Sequence, residues 1–150
     1  VAVATSNVST NTADEAGGGV LLGSGATFEA VHATVVDNES KDVTSAGGLD
    51  GASLVLTNSI VANNTGGDCV SAAVEANGVN LDGDGSCELG AGHVNATDPL
   101  LGALASNGGS TRTHLPLAGS PAIDSAGNDP CLATDQRGVA RPQPEELAGA

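Results

Sequence analysis

The stretch Ser-Ile-Val-Ala-Asn-Asn-Thr at residues 59–65 decides the fold, because it recurs upstream at a nearly fixed distance. Residues 34–38 read Thr-Val-Val-Asp-Asn, and residues 7–12 read Asn-Val-Ser-Thr-Asn-Thr. Aligned at steps of 27 and 26 residues, they form one valine column and one asparagine column: Val8, Val35 and Val61, and Asn11, Asn38 and Asn64. Periods of about 20–50 residues are typical of solenoids, in which each repeat buries its apolar face only by stacking on its neighbours.

The repeat unit is predicted to be β-structure. Residues 54–57 (Leu-Val-Leu-Thr) and 59–61 (Ser-Ile-Val) are short, rich in β-branched residues and bounded by Gly, Asn or Asp, as strands are. Phe28 aligns with Leu54 at the same step of 26. No stretch shows sustained helical periodicity. A step of about 26 residues suits one coil of a single-stranded parallel β-helix, in which each coil lies about 4.8 Å above the last.

We predict structural roles for two features of the repeat, the asparagine column and a recurring glycine element. Asn11, Asn38 and Asn64 are expected to form a ladder at one bend, with their side-chain amides paired along the axis. A glycine element at residues 17–19 and again at 47–48 recurs at a step of 29. We expect these glycines to serve another bend, where the backbone requires a positive φ.

Composition and charge exclude several classes of partner. The 150 residues include 22 glycines and one aromatic residue, Phe28, which suits a narrow bore filled by small aliphatic side chains. The net charge of −14 repels nucleic acid and anionic lipid, and no run approaches the roughly 18 apolar residues of a membrane span. We therefore expect no nucleic-acid partner and no membrane insertion. The chain opens at Val1 in strand-like sequence, and we interpret it as an excised or processed piece of a larger secreted protein.

The second half of the chain carries a series of motifs in a specific order. They are Asp-Cys at 68–69, Asn-Gly-Val-Asn-Leu-Asp at 77–82, Asp-Pro-Leu-Leu-Gly at 98–102, Asn-Gly-Gly at 107–109, Gly-Ser-Pro-Ala-Ile-Asp at 119–124 and Thr-Asp-Gln-Arg-Gly at 134–138. Over roughly residues 33–142, this order and spacing resembles the C-terminal part of the choice-of-anchor Q domain family. Members of that family are bacterial and archaeal cell-surface proteins built on a right-handed parallel β-helix.

The resemblance implies a domain organisation and a disulfide. A right-handed parallel β-helix would span residues 1–142, with regular coils over 1–66 and family-like coils and an irregular cap over 67–142. Residues 143–150 depart from the family pattern and would form a tail. Related sequences place a cysteine at the positions of Cys69 and Cys87, which implies a disulfide between them. Cys131 would be a free thiol, because the family's terminal strand with its partner is missing here; the alternative is a small buried apolar residue.

The candidate metal ligands are few. The three histidines, His32, His93 and His114, show no metal-ligand spacing, so turn or packing roles are favoured. Residues 82–86 (Asp-Gly-Asp-Gly-Ser) resemble the start of an EF-hand loop, but the sixth position is Cys87 and the twelfth is His93. A Gly/Asp turn is favoured. A calcium site of another kind, using Asp82 or Asp84, is the alternative, and no other cofactor is indicated.

The most enzyme-like polar group is the set Asp124, Asp135 and Arg137. A pair of carboxylates about 5 to 9.5 Å apart could hydrolyse a glycosidic bond. All three residues lie in the terminal motifs, however, where an Asp–Arg pair that ties turns together is the simpler interpretation. We therefore lean against catalysis, and these residues remain weak catalytic candidates.

Four glycosylation sequons occur, at Asn7, Asn38, Asn63 and Asn95. Three of them fall in the repeat turns, where the ladder and turn roles already account for the asparagines. The sequons gain meaning only where secreted proteins are glycosylated.

The predicted function is that of a non-catalytic secreted protein at the cell surface, a stalk or adhesin-like scaffold that contacts carbohydrate or protein. One alternative is a polysaccharide lyase or glycoside hydrolase of the pectin-lyase-like β-helix class. Another is a self-assembling filament or surface-layer element, since an unpaired edge at residues 1–3 could accept a strand. A groove with clustered carboxylates and a base would favour the enzyme, and a flat polar face would favour the scaffold.

Overall fold

The computed structural model describes residues 1–126 and 131–141, and over these residues the chain is all-β. No helix in these ranges is long and apolar enough to cross a membrane. The strands are β1 (Ala2–Ala4), β2 (Asn7–Ser9), β3 (Thr12–Ala13), β4 (Val20–Leu21), β5 (Thr27–Val31), β6 (Thr34–Val36), β7 (Glu39–Ser40), β8 (Leu49–Gly51), β9 (Ser53–Thr57), β10 (Ile60–Ala62), β11 (Cys69–Ser71), β12 (Val74–Asn77), β13 (Leu81–Asp82) and β14 (Val94–Asn95).

The strands form parallel sheets in which each strand pairs with its counterpart one repeat away. The first sheet has the order β1-β5-β9-β12, the second β2-β6-β10-β13-β14, the third β4-β8-β11 and the fourth β3-β7. From β1 to β13, consecutive strands thus belong to different sheets, and each repeat stacks on the one before it. The prediction of an all-β, parallel fold is confirmed, and β1, β2 and β4 are edge strands at one end of the stack.

The strand register agrees with the sequence alignment. Val8 pairs with Val35, and Val35 with Val61, in the second sheet. Phe28 pairs with Leu54 in the first sheet. Val35, Val61, Phe28 and Leu54 are buried in one core cluster between the sheets. The periodic apolar positions therefore fill a shared interior, as a repeat that cannot bury its own apolar face requires.

The repeat becomes shorter after residue 62, which the constant step of about 26 did not predict. Ser59 donates its backbone N–H to Asn80 at a separation of 21 residues, where the preceding step is 26. Thr65 still forms a parallel bridge with Glu39 of β7, but the chain omits the loop that follows β7 and turns back at Gly66 and Gly67, with φ of 101° and 113°. Only glycine adopts such angles without strain, so this pair allows the shortcut.

Non-glycine residues with left-handed backbone mark two bends of the repeat. One bend carries Thr5, His32 and Asn58, with φ between 42° and 49°, and Gly78 follows in the next repeat. The other carries Thr10, Asp37 and Asn63, with φ between 56° and 59°. Short polar side chains tolerate this conformation best, so Asn and Asp suit these bends. His32 lies in the column of Asn58, as the alignment predicts, since Val31 pairs with Thr57.

The prediction that the paired glycines are needed for a positive φ is wrong. Gly18, Gly19, Gly47 and Gly48 are not among the residues with positive φ; only the preceding Gly17 is. They are glycine because another part of the chain occupies the space of a side chain. A Cβ on Gly19 would lie 3.0 Å from Asn38 Nδ2, and one on Gly48 would lie 2.8 Å from Asn64 Nδ2. Gly19 and Gly48 thus make room for the asparagine side chains, whereas Gly18 and Gly47 make room for backbone carbonyl groups of the next repeat.

The C-terminal segment, residues 99–126 and 131–141, adds no parallel strand to the stack. Its isolated bridges are antiparallel and internal, such as Leu101 with Pro116 and Thr134 with Ala140. Leu101 and Ala122 pack against a second apolar cluster that includes Val36, Ala62 and Leu81. Because strand residues alternate between faces, this cluster lies on the face of the second sheet opposite Val35 and Val61. Within the described residues the parallel strands thus end at β14 and an irregular covering segment follows, while the predicted tail at 143–150 lies outside these residues.

Candidate functional site

The asparagine column is a continuous ladder of hydrogen bonds that ends on an aspartate. In each step, one residue donates both its backbone N–H and its side-chain amide to the side-chain oxygen of the next. The donor–acceptor distances are 3.1 and 2.8 Å from Asn11 to Asn38, 3.0 and 3.0 Å from Asn38 to Asn64, and 3.1 and 2.8 Å from Asn64 to Asp68. Asp68, which the sequence did not indicate as a site residue, therefore terminates the ladder.

Three carboxylates meet where the ladder ends. Oxygen atoms of Asp68, Asp82 and Asp84 all lie within 4.8 Å of one another, and the first two residues are buried. Two of them, Asp82 and Asp84, are the calcium candidates of the sequence. Carboxylate oxygens are the ligands that Ca²⁺ prefers, so these residues are the part of the described chain most suited to hold a cation.

Backbone N–H groups already occupy these oxygens. Asp82 accepts from the N–H groups of Gly85 and Cys87, at 3.0 and 2.8 Å. Asp84 accepts from Ser86 at 2.9 Å and from Asp68 at 3.1 Å. The arrangement is a Gly/Asp turn that satisfies its own donors, which is the interpretation the sequence favoured.

A disulfide joins this turn to the strand beside it. Cys69 and Cys87 are bonded, with their Cα atoms 4.9 Å apart, and this is the pair that the family resemblance implies. A bridge that closes a loop of 18 residues stabilises a fold by about 3 kcal/mol. Cys131 is a free, exposed thiol, so the alternative of a small buried apolar residue is wrong for it.

Burial and hydrogen bonding shift the pKa values of the three carboxyl groups in different directions. Burial raises the pKa of Asp68 to about 6, although hydrogen bonds from Asn64 act in the opposite direction. Burial also raises the pKa of Asp82. Burial acts to raise the pKa of Asp84 as well, but hydrogen bonds from Ser86 outweigh it and the pKa falls below its usual value. Asp68 is thus the group in this cluster expected to titrate nearest neutral pH.

We expect Asp68 to make the protein more stable in mild acid. Its folded pKa of about 6 exceeds the ordinary value of 3.8, so the folded state binds this proton more tightly than the unfolded state. Its stabilising contribution is complete below the unfolded pKa and is lost as the pH rises through about 6. The difference between the folded and unfolded pKa values corresponds to a stabilisation of about 3 kcal/mol, because each unit of pKa is worth about 1.4 kcal/mol.

The measurement is the urea unfolding free energy of the wild type and of Asp68→Asn between about pH 7.5 and pH 5. The gain on acidification should be smaller in Asp68→Asn, because that variant has no carboxyl group to titrate. Asp37→Asn, at an exposed bend, is the matched control and should keep the wild-type gain. Equal pH dependence in all three proteins would contradict the assignment.

A second candidate site is a cavity of about 590 Å³ between the strand stack and the C-terminal segment. All three weak catalytic candidates of the sequence, Asp124, Asp135 and Arg137, line it. His32, His114 and Cys131 line it as well. The tertiary structure therefore brings together residues that the sequence grouped only as neighbouring motifs.

Asp135 and Arg137 are engaged with each other in this cavity. Arg137 Nε lies 2.7 Å from Asp135 Oδ2, and the backbone N–H groups of Arg137 and Val139 donate to Oδ1 at 2.8 and 2.9 Å. Burial acts to raise the pKa of Asp135, but the hydrogen bonds from Val139 and Arg137 lower it below its usual value. The pair ties a turn together, which is the simpler interpretation of the motif. Asp124 is exposed, and its carboxylate makes no hydrogen bond within the described residues.

Two of the histidines have local hydrogen-bonding roles. His93 Nδ1 accepts the backbone N–H of Asn80 at 3.2 Å. His114 Nδ1 lies 2.8 Å from the carbonyl oxygen of Gly102, which can only accept, so this nitrogen carries the proton. His114 Nε2 is buried and has no partner among the described residues. Neither contact calls for a metal ion.

No family model, curated protein or solved structure matches this chain. The resemblance to the choice-of-anchor Q domain family therefore remains a hypothesis that rests on the motifs. Any function has to be argued from the chain's own geometry.

Proposed function

We propose that this chain is a right-handed, single-stranded parallel β-helix from a secreted protein of the choice-of-anchor Q type, acting at the cell surface as a non-catalytic stalk or adhesin-like scaffold. The main support is the use of its polar groups. The ladder, the carboxylate turn and the Asp135–Arg137 pair all serve hydrogen bonding within the fold. A site built for chemistry would instead aim such groups at a substrate.

The β-helix part of the proposal rests on the pairing pattern. Each of the first three repeats contributes one strand to the first, second and third sheets, and every pairing between the named strands is parallel. The apolar residues of these sheets face a shared core. An arrangement of this kind grows along one axis without limit, which suits an extended stalk.

The outer face of the first sheet suits a binding surface without a catalytic base. Glu29, Val55 and Glu75 lie side by side across it, and Thr27 pairs with Ser53 beside them. The side chains are short or carboxylate-bearing, and no Lys or Arg lies on these strands. Carboxylates can accept hydrogen bonds from sugar hydroxyls. The contact we propose with carbohydrate is therefore polar, because the one aromatic ring, Phe28, is buried.

An extracellular location is supported by the disulfide and the acidic surface. Disulfides form and persist in oxidising compartments, and the Cys69–Cys87 bridge stabilises the turn that ends the ladder. The net charge of −14 keeps such a protein soluble and discourages contact with polyanions.

The second candidate function is a polysaccharide lyase or glycoside hydrolase. The observation that favours it is the cavity, which combines Asp124 and Asp135 with Arg137. Against it, Asp135 is neutralised by Arg137, so one unengaged carboxylate is left where a hydrolase requires two.

We therefore expect no turnover of pectin, alginate or other uronic-acid polymers, with or without calcium. The measurement is the release of unsaturated or reducing sugar ends by the purified chain over a long incubation. Turnover that disappears in Asp124→Asn and Asp135→Asn but persists in Glu15→Gln would overturn the scaffold proposal. Glu15 is an exposed acidic residue that does not line the cavity, so it is the matched control.

A further inference from the structure

The four sequons of the chain are not equivalent in the folded protein. Asn38 is 1% exposed, and its amide nitrogen donates to Asn64 Oδ1 and to the carbonyl oxygen of Val8, both at 3.0 Å. Ser40, the hydroxyl residue of the same sequon, is also buried. A sugar on Asn38 would remove a ladder donor and could not fit inside the stack.

Two other sequons are only partly available. The amide nitrogen of Asn7 donates to Ser9 Oγ of its own sequon at 2.9 Å, and Asn7 Oδ1 is buried. Asn95 is exposed, but its amide nitrogen donates to the carbonyl oxygen of Gly90 at 3.0 Å. A glycan at Asn95 fits the fold at the loss of one hydrogen bond.

The remaining sequon, residues 63–65, is free on both of its functional groups. Asn63 and Thr65 are exposed, and within the described residues neither side chain makes a hydrogen bond. Asn63 has φ of 58° at the outside of a bend, while its neighbour Asn64 is buried as a ladder residue. The bend therefore separates the two adjacent asparagines, one inward for the ladder and one outward into solvent.

We propose that Asn63 is an attachment site for an N-linked glycan, an inference that rests on the proposed extracellular location. The co-substrate is a sugar activated on a lipid-linked phosphate or diphosphate, delivered by an oligosaccharyltransferase. The amide nitrogen of Asn63 forms a bond to C1 of the sugar and loses one proton. The bond from C1 to the phosphate oxygen breaks, and the lipid phosphate leaves with its electron pair, so the step involves no oxidation or reduction.

The folded structure accommodates this product without rearrangement. The nitrogen of Asn63 makes no hydrogen bond that the glycan would replace, and the surrounding bend column, Thr10 and Asp37, is also exposed. A glycan on Asn38, which lies in the neighbouring ladder column, would break the ladder. Folding should therefore select against chains glycosylated at Asn38 and should tolerate those glycosylated at Asn63.

The test is to secrete the full chain from a glycosylating eukaryotic host and map the sites. The secreted protein is treated with peptide N-glycosidase in ¹⁸O-labelled water, which converts each glycosylated asparagine to labelled aspartate. We expect label at position 63 and none at position 38. Thr65→Ala should abolish the label at 63 and leave any label at 95 unchanged, whereas Thr65→Ser should retain the label at 63.

The outcomes separate this inference from the proposed function. An unlabelled Asn63 in the secreted chain, whether or not Asn95 is labelled, would overturn the assignment, and so would label at Asn38. The location is read independently, by protease treatment of intact cells that carry the native protein. Protection from the protease would defeat the proposed surface function and with it the use of Asn63 in the cell.

Discussion

Val61→Asp is expected to unfold the protein or to destabilise it by about 4 kcal/mol or more, since a buried unpaired charge is among the most costly substitutions. Val61 is 0% exposed and lies between Val35 and Asp82 in the second sheet. The new carboxylate would enter an apolar core beside a carboxylate that is itself buried. The loss is comparable to the whole stability of many domains, which is about 5–15 kcal/mol.

The measurement is urea unfolding followed by far-ultraviolet circular dichroism, with Val43→Asp as the matched control. Val43 is 92% exposed, so the same change there should alter the free energy of unfolding by about 0.5 kcal/mol or less. If Val61→Asp proved as stable as Val43→Asp, the valine column would not lie in the core and the stacked arrangement would be wrong.

Gly48→Ala is expected to be the most damaging of the small substitutions, with a loss of about 3 kcal/mol or more. An added Cβ would lie 2.8 Å from Asn64 Nδ2 and closer still to the backbone carbonyl oxygen of Asp68. Both neighbours are held in place, one by the ladder and the other by the chain itself. Relief would require the two repeats to move apart, which breaks hydrogen bonds between them, such as the one from the backbone N–H of Leu49 to the carbonyl oxygen of Asp68 at 2.8 Å.

The matched control is Gly23→Ala. An added Cβ there meets nothing within 4 Å, and the backbone of Gly23 does not have a positive φ. The control should be neutral or slightly stabilising, because alanine restricts the unfolded chain more than glycine does. Thermal unfolding of the two variants should therefore differ by several degrees. Equal midpoints would show that the glycine column does not pack on the ladder.

The parts of the fold that the sequence predicted are those that recur. Val8, Val35 and Val61 align at nearly equal steps, and a stack of parallel strands converts equal steps into lateral pairing. The same logic places Asn11, Asn38 and Asn64 along one bend, where each amide meets the next. In a repeat, equal spacing along the sequence identifies which residues pair between neighbouring coils, so these contacts can be predicted without the tertiary structure.

The errors lie where the pattern changes or where two elements meet. Glycine tolerates both positive φ and close approach, and the sequence does not say which is in use, so the role of Gly47 and Gly48 was mistaken. Asp68 stands four residues after Asn64 instead of one full repeat, so no alignment places it in the ladder. The shortened repeat caused this, because the chain turns back early at Gly66 and Gly67.

The candidate sites depended on contacts between segments that share no period. The alternation of strand residues predicts that one face of the second sheet is buried by stacking, but it does not predict that the C-terminal segment covers the opposite face. That contact forms the cavity and brings His32 from a repeat bend to Asp124 and Arg137 from the C-terminal motifs. Likewise, the amino-acid order is sufficient to count four sequons. Only the tertiary structure decided which of the four are buried and which are exposed. At the bend of residues 63–64, the backbone directs the side chain of Asn63 outward to solvent and that of Asn64 inward to the ladder.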